Sequence, residues 1–363
     1  MDYKVEKAVT ADYKKIIKLS NKAFHRRFKR IMPKLFNNRP EVTDHHYVIR
    51  EKRKLVASAT ILPNDFIVGD SVLKSVGVGT VATAKNRRGK GFMTRIFKAS
   101  EQDFNLADFA ILTGKRKRYE NYGFFHTGIN KNYTFFKWNF KNEKDTVNLI
   151  PLSKCPEYAK EIARLNQEKP CFVPREEKDI QDILRTYSDK AFVVEKDGEK
   201  CGYLVFSWLE LRVGEIKTPY IGEALKALFN RYKLMPMFRI ALPVYDISNE
   251  AKWCEENAEF FSLNHNYSYK ITNFKNMIGA YLKFKNSYQK LANGVQTIQI
   301  GEEILKISVK GDSILVEESQ DKPDIKLSVK EAHLTLFGIR GTLTPTQNNW
   351  FPLPLYYPRS DNV

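Results

Sequence analysis

The stretch Arg88-Gly89-Lys90-Gly91-Phe92-Met93 joins a Val/Thr-rich run, Val72 to Ala84, to an apolar run that begins at Phe92. The first run has the β-branched density of a strand. In the second, Phe92, Met93, Ile96, Phe97 and Phe104 recur at helical spacing, which predicts a helix over 92–104. A glycine-bearing turn between a strand and a helix lets backbone approach a phosphate closely. The helix N-terminus then supplies unpaired N–H donors and the positive end of its dipole. Lys85, Arg87, Arg88 and Lys90 add charge at this mouth, and no Asp or Glu occurs between Ser71 and Ser100 to oppose it. The turn suits a diphosphate.

Three diphosphate motifs compete for it. The Walker loop spacing is absent. Gly77-Val78-Gly79-Thr80-Val81-Ala82 matches the dinucleotide pattern G-x-G-x-x-A, but that pattern must open a helix at once, and here it lies inside the Val/Thr strand. The third motif is an acyl-CoA loop, [RQ]-x-x-G-x-[GA]. Arg88 and Gly91 fill its first two defined positions, and Met93 stands where Gly or Ala is usual.

Working outward, the first 140 or so residues alternate as strand, helix, meander, helix, strand, helix, a mixed α/β layer fold. Tyr3 to Val9 reads as a strand. Tyr13, Ile16, Ile17, Ser20 and Phe24 form one helical face, and a basic segment, His25 to Lys34, follows. Tyr47 to Arg50 and Leu55 to Leu62 read as paired strands. Phe109 to Leu112 is a short apolar strand, followed by a short helix at Tyr119 to Tyr122 ended by Gly123. Asn142-Glu143-Lys144-Asp145 is a polar break. A second α/β unit follows, with a hairpin of Ala191 to Lys196 and Cys201 to Trp208 around Asp197-Gly198, and helices over 221–232 and 249–260. After a helix from Phe274 to Leu291, short strands separated by Gly, Asp and Pro make a small α+β unit. The tail from Trp350 to Tyr357 is too apolar to stay in solvent, so it is expected to pack against the body.

The chain resembles the GNAT superfamily of N-acetyltransferases. The resemblance rests on the Arg88–Met93 turn and on Tyr119-Glu120-Asn121-Tyr122-Gly123-Phe124, which looks like the superfamily's F-Y-E-K-x-G-F segment and lies after the next strand. The order of units is similar to the enhanced-intracellular-survival (Eis) type: a catalytic GNAT domain at 1–143, a degenerate GNAT-like domain at 144–285, and a sterol-carrier-like α+β domain with the tail at 286–363. Between Leu211 and the helix from Ile221 no second acyl-CoA turn occurs, so one cofactor per chain is expected.

The resemblance implies acetyl-CoA as cofactor and an amine as acceptor. Val81, Ala82 and Thr83 would hold the pantetheine by backbone hydrogen bonds. The N–H groups of Gly89, Lys90, Gly91, Phe92 and Met93 would bind the pyrophosphate beside Arg88. Tyr119 matches the superfamily's general acid; its phenol is protonated at neutral pH and can give a proton to the leaving thiolate. In the Eis type the C-terminal carboxylate, here that of Val363, reaches the active site as base. If His25, Arg26, Arg27, Lys29 and Arg30 face the acceptor cleft, they repel polycationic amines.

Composition leaves room for other classes. The formal net charge of +18 points to polyanionic partners without choosing among nucleic acid, an anionic membrane and a phosphorylated cofactor. A non-catalytic GNAT-scaffold module that binds nucleic acid, membrane or lipid is the alternative, but such a module does not require the acyl-CoA turn, so nucleic acid is not the expected partner. The cysteines, at 155, 171, 201 and 254, form no C-x-x-C pair, and no metal is expected. With no signal-peptide core and no long apolar run, a cytoplasmic location is expected, and a homo-oligomer stays open.

Overall fold

The protein is described from a computed structural model that covers residues 3–207, 210–216, 218–232, 237–343 and 348–363. Three sheets organise it. The chain opens with Val5–Lys7 (β1), Tyr13–Phe24 (α1) and two short turns of helix, Phe28–Ile31 (α2) and Pro33–Phe36 (α3). Then come His46–Glu51 (β2), Lys54–Val68 (β3), Ser71–Thr83 (β4), Phe92–Ala99 (α4), Glu101–Asn105 (α5), Phe109–Leu112 (β5), Arg116–Glu120 (α6) and Phe125–Thr127 (β6). The helix predicted over 92–104 is two, broken at Ser100, whose hydroxyl donates to the Phe97 carbonyl. A side chain that competes for a backbone carbonyl loosens the turn there.

The middle of the chain supplies Asn130–Phe136 (β7), Asn148–Pro151 (β8), Ala159–Gln167 (α7), Cys171–Phe172 (β9), Ile180–Leu184 (α8), Lys190–Lys196 (β10), Glu199–Ser207 (β11), Glu210–Ile216 (β12), Ile221–Arg231 (α9), Met237–Pro243 (β13), Asn249–Asn257 (α10) and Phe260–Asn264 (β14). The β10–β11 hairpin turns at Asp197 and Gly198, both with φ positive, as a type I′ turn requires. Trp208, the expected end of that hairpin, lies outside the described residues. Phe260, read from sequence as the end of a helix, begins β14 instead. The last part has Tyr267–Ile271 (β15), Phe274–Tyr288 (α11), Gly294–Ile300 (β16), Glu303–Lys310 (β17), Ser313–Glu318 (β18), Ile325–Leu327 (β19), Val329–Leu336 (α12) and Arg340–Leu343 (α13).

The first sheet runs β1-β2-β3-β4-β5-β15-β6, with β9 added on β3, and the second runs β14-β7-β13-β12-β11-β10-β8. The two exchange strands. β15, which follows the whole second unit in sequence, inserts between β5 and β6, and β7, directly after β6, joins the second sheet. The four-stranded third sheet, β18-β17-β16-β19, shares a core with β15, α11 and the tail. The architecture is therefore mixed α/β throughout, with the first sheet tied by hydrogen bonds to chain segments from both ends. Among the described residues no helix is long and apolar enough to cross a membrane.

Candidate active site

β4 creates the site by outrunning its neighbour. It pairs in parallel with β5 from Ser75/Phe109 to Val78/Leu112, where β5 ends. β4 continues through Gly79 to Thr83 with no β5 partner, which opens a wedge in the sheet. On its other edge β4 carries a bulge. Thr60 opposes Gly79 and Ser58 opposes Ala82, so Thr80 and Val81 together face Ala59 alone. Thr80 takes φ +45, a rare conformation for a β-branched residue. Val81, in the bulge, and Ala82 and Thr83, just beyond it, thus lie along the open wedge.

The Arg88–Met93 turn follows. Gly89 and Gly91 have φ +81 and +70, and a Cβ on either would meet no atom within 4 Å. Gly91 is the N-cap of α4, and Arg88 through Gly91 are exposed. Phe92 is buried and Met93 packs beside it, which pins the first turn of the helix to the core. The result is an open cradle at a helix N-terminus, the right environment for a diphosphate. Not all four predicted cations serve it. Arg87 turns back to Glu51, with Nε 2.8 Å from Oε2, and that pairing holds the Glu51 carboxyl below its usual range. Arg88 donates to the Ala23 carbonyl at 3.3 Å, which ties the turn to the end of α1, and Lys90 reaches the Tyr3 hydroxyl.

Tyr119 lies on α6 and is buried, with its ring edge-on to Phe97 and Phe124. The ring leaves no space for a Cβ on Gly114, so the glycine permits the close approach of the loop after β5. Burial pushes the phenol above its ordinary value, opposed by Arg118. It is therefore protonated across the neutral range.

Val363 is 3% exposed and sits on β4. Its Cγ2 fills the space above Gly77, and its carboxyl carbon lies 2.7 Å from where a Cβ on Gly79 would stand. The two glycines that sequence reading set aside as a false dinucleotide motif are the seat of the C-terminus. The tail reaches them along a buried path. Trp350, Leu353, Leu355 and Tyr357 are buried, Lys285 Nζ donates to the carbonyls of Asn349, Trp350 and Pro352, and Tyr357 stacks on Phe66. The last residues are held by side chains that sequence reading missed. Arg175 binds Asp361 with both ends, at 2.9 and 2.6 Å. Lys34 Nζ donates to the carbonyls of Ser360 and Asn362 at 2.8 and 2.6 Å, and Asn362 Oδ1 accepts from the Val363 N–H. Burial pulls the Lys34 ammonium down to about 7. The Arg175 and Lys34 contacts span more than 180 positions in sequence, so no local pattern announces them.

A cavity of about 1120 Å³ opens beside this end of the tail. Thr113, Tyr187, Tyr203, Tyr245, His265 and Asn362 are among the residues that line it. Its charged lining is mixed, with Glu161, Glu168 and Asp246 beside Arg164, Lys169 and Lys200. The basic segment 25–30 lines no part of it. Arg26, Arg27, Lys29 and Arg30 are exposed, on the segment that follows the Ala23 contact with Arg88. That segment therefore adds no charge to the lining of this cavity. Among the described residues no group of three or more His, Cys, Asp or Glu is arranged to hold a metal.

Comparison with known proteins bears on the fold that carries the wedge, the glycine cradle and the buried tyrosine. Residues 4–127 match the family model of the acetyltransferase (GNAT) domain. No curated protein matches the chain in sequence. Solved structures match it in fold over nearly its full length. One is a conserved protein of unknown function from Enterococcus faecalis V583, described as a probable N-acyltransferase, at 16% identity and TM-score 0.66, covering 93% of this chain and 90% of that one. A GCN5-related N-acetyltransferase from Kribbella flavida matches at 14% identity and TM-score 0.61, covering 90% and 86%. Eis1 from Mycobacterium abscessus matches at 12% identity and TM-score 0.59, covering 92% and 90%. At these identities the similarity shows the shared fold.

Proposed function

We propose that the protein is an N-acetyltransferase that uses acetyl-CoA and acts on a primary amine of a small molecule or protein. The observation that carries this reading is the order along one strand and the turn after it: β4 holds the buried Val363 on Gly77 and Gly79, outruns β5 to leave an open wedge, and leads into a glycine cradle at the N-terminus of α4. The residues fit the cofactor. The N–H groups of Gly89 to Met93, with Arg88, suit the pyrophosphate, and the edge of Val81 to Thr83 that β5 leaves open suits the pantetheine arm. Acetyl-CoA, when bound, supplies a thioester whose carbonyl carbon forms a bond to the amine nitrogen while the C–S bond breaks. Val363 accepts a proton from the amine through its carboxylate, directly or through a water, and Tyr119 gives its phenolic proton to the departing sulfur.

The division of labour follows the units. We read 1–143 as the catalytic unit, 144–285 as a second unit without its own cofactor turn, and 286–363 as a sterol-carrier-like unit that delivers the tail. The 1120 Å³ cavity, with Asn362 in its lining, is where the acceptor enters. Its mixed charge suits an amine that also carries acceptor or anionic groups. Calorimetry with acetyl-CoA, followed by turnover of Tyr119→Phe on an amine found by screening, tests the reading. The expected result is wild-type affinity with turnover reduced on the order of 10²-fold. Absence of acetyl-CoA binding by the wild-type chain would overturn it.

A further inference from the structure

A relay of three side chains ends on the β4 bulge. His46 on β2 opposes Thr60 on β3, and Thr60 opposes Gly79 on β4. Directly opposed residues project from the same face of a sheet, so His46 and Thr60 lie on the face where Val363 rests on Gly79. His46 Nε2 is 2.9 Å from Thr60 Oγ1, which in turn is bonded to Thr80 Oγ1. His46 Nδ1 is 3.1 Å from the Val42 carbonyl. All three side chains are buried.

The direction of these bonds follows from the chemistry of the end group. A carbonyl only accepts, so Nδ1 of His46 carries the proton. In a neutral ring Nε2 then only accepts, and burial keeps this ring neutral at physiological pH, pulling it down to about 4. Thr60 must give its single hydroxyl proton to Nε2 and receive the Thr80 proton. Thr80 is therefore committed inward as a donor and has no proton for a thioester carbonyl.

We propose that His46, Thr60 and Thr80 are positioning residues that hold the β4 bulge, and through it the 81–83 backbone, in the orientation that receives the pantetheine arm. This inference rests on the acetyltransferase reading. A β-branched residue at φ +45 is strained and stays there only when its surroundings fix it. The relay supplies that restraint in a dry interior, where a hydroxyl pair is costly to leave unmade. Without it Thr80 relaxes toward extended backbone and the extra residue is absorbed. A one-residue slip turns every later side chain and N–H group of the strand to the opposite side. Val81, Ala82 and Thr83 would then present the wrong edge to the wedge.

The test is calorimetry with acetyl-CoA on folded variants. Thr60→Val keeps the shape and removes the hydroxyl, and Thr80→Val does the same one step along. Each should weaken binding about tenfold. Thr60→Ser should restore wild-type affinity. Adding Thr80→Gly to Thr60→Val should also restore it, because glycine adopts φ +45 with no restraint. A role in stability alone would shift the melting temperature of the valine variants and leave the affinity of the folded protein unchanged. If wild type binds acetyl-CoA and both valine variants bind it equally well, the relay has no positioning role. If they weaken but Thr80→Gly gives no rescue, restraint of the bulge is not the cause. If wild type itself does not bind, the functional reading falls first and this inference with it.

Discussion

The carboxyl carbon of Val363 rests on Gly79, so near that a Cβ on the glycine would come within 2.7 Å of it. The last residue of the chain and a mid-strand glycine thus share one site, and each limits what the other can be. Gly79→Ala should displace the C-terminus from β4. Turnover is expected to fall on the order of 10²-fold while acetyl-CoA affinity stays within a few-fold of wild type. A short C-terminal extension should act in the same way, because it replaces the carboxylate with an amide and must leave a buried seat. Full turnover of an extended enzyme would assign the base to another group.

Gly91 makes a different kind of demand. At φ +70 with empty space around it, a substitution there meets strain and no clash. Gly91→Val should cost more than the ~1–2 kcal/mol typical of a left-handed residue and should lower acetyl-CoA affinity as the cradle deforms. Gly91→Asn, which tolerates this conformation, should lose much less. Titration calorimetry on the two variants separates strain from loss of space, since a purely steric cradle would reject both.

Arg175 and Asp361 form an ion pair with both side chains 5% exposed or less. Removing one partner leaves a buried charge, so Arg175→Met is expected to destabilise the protein by about 3–5 kcal/mol. The double variant Arg175→Met/Asp361→Leu should recover most of that stability. It should not recover activity, because the tail would lose the contact that aims Val363. Chemical denaturation and turnover, measured on the same three proteins, check both halves.

Asp12 gives an acid-range prediction. Its carboxylate is buried at the start of α1, and hydrogen bonding to Arg50 pulls it down to about 2. A carboxyl whose folded value lies below its unfolded value contributes stability that is fully present above about 4 and is lost as pH falls through 2. The contribution is about 2 kcal/mol at neutral pH. Asp12→Asn should therefore lower stability at pH 7 and flatten the decline between pH 4 and 2. Urea midpoints across that range measure it, and parallel curves for the two proteins would contradict the assignment.

The local structure of the candidate site could be read in the sequence because its determinants are local. The glycines and charges of 88–93, the β-branched run before them and the helical spacing after them act within a few residues of one another. They determine a strand, a tight turn and a helix N-terminus wherever the chain places them. The short helix that carries Tyr119 was legible for the same reason, through the segment ending at Gly123. The apolar tail declared that it must be buried, though not where.

The tertiary structure decided everything that depends on distant partners. β15 enters the first sheet between β5 and β6 from more than 130 residues away, and β4 becomes half of a wedge only because β5 stops at Leu112. Gly77 and Gly79 carry no local sign that a C-terminal valine will fill the space above them. Lys34, Arg175 and Tyr187 are ordinary residues in their own segments and converge on the tail only in the folded chain. The local run of the backbone is set by dihedral preference and hydrophobic period, which a sequence displays directly. The pairing of strands and buried charges is set by the single arrangement that satisfies all of them at once, and that arrangement exists only in three dimensions.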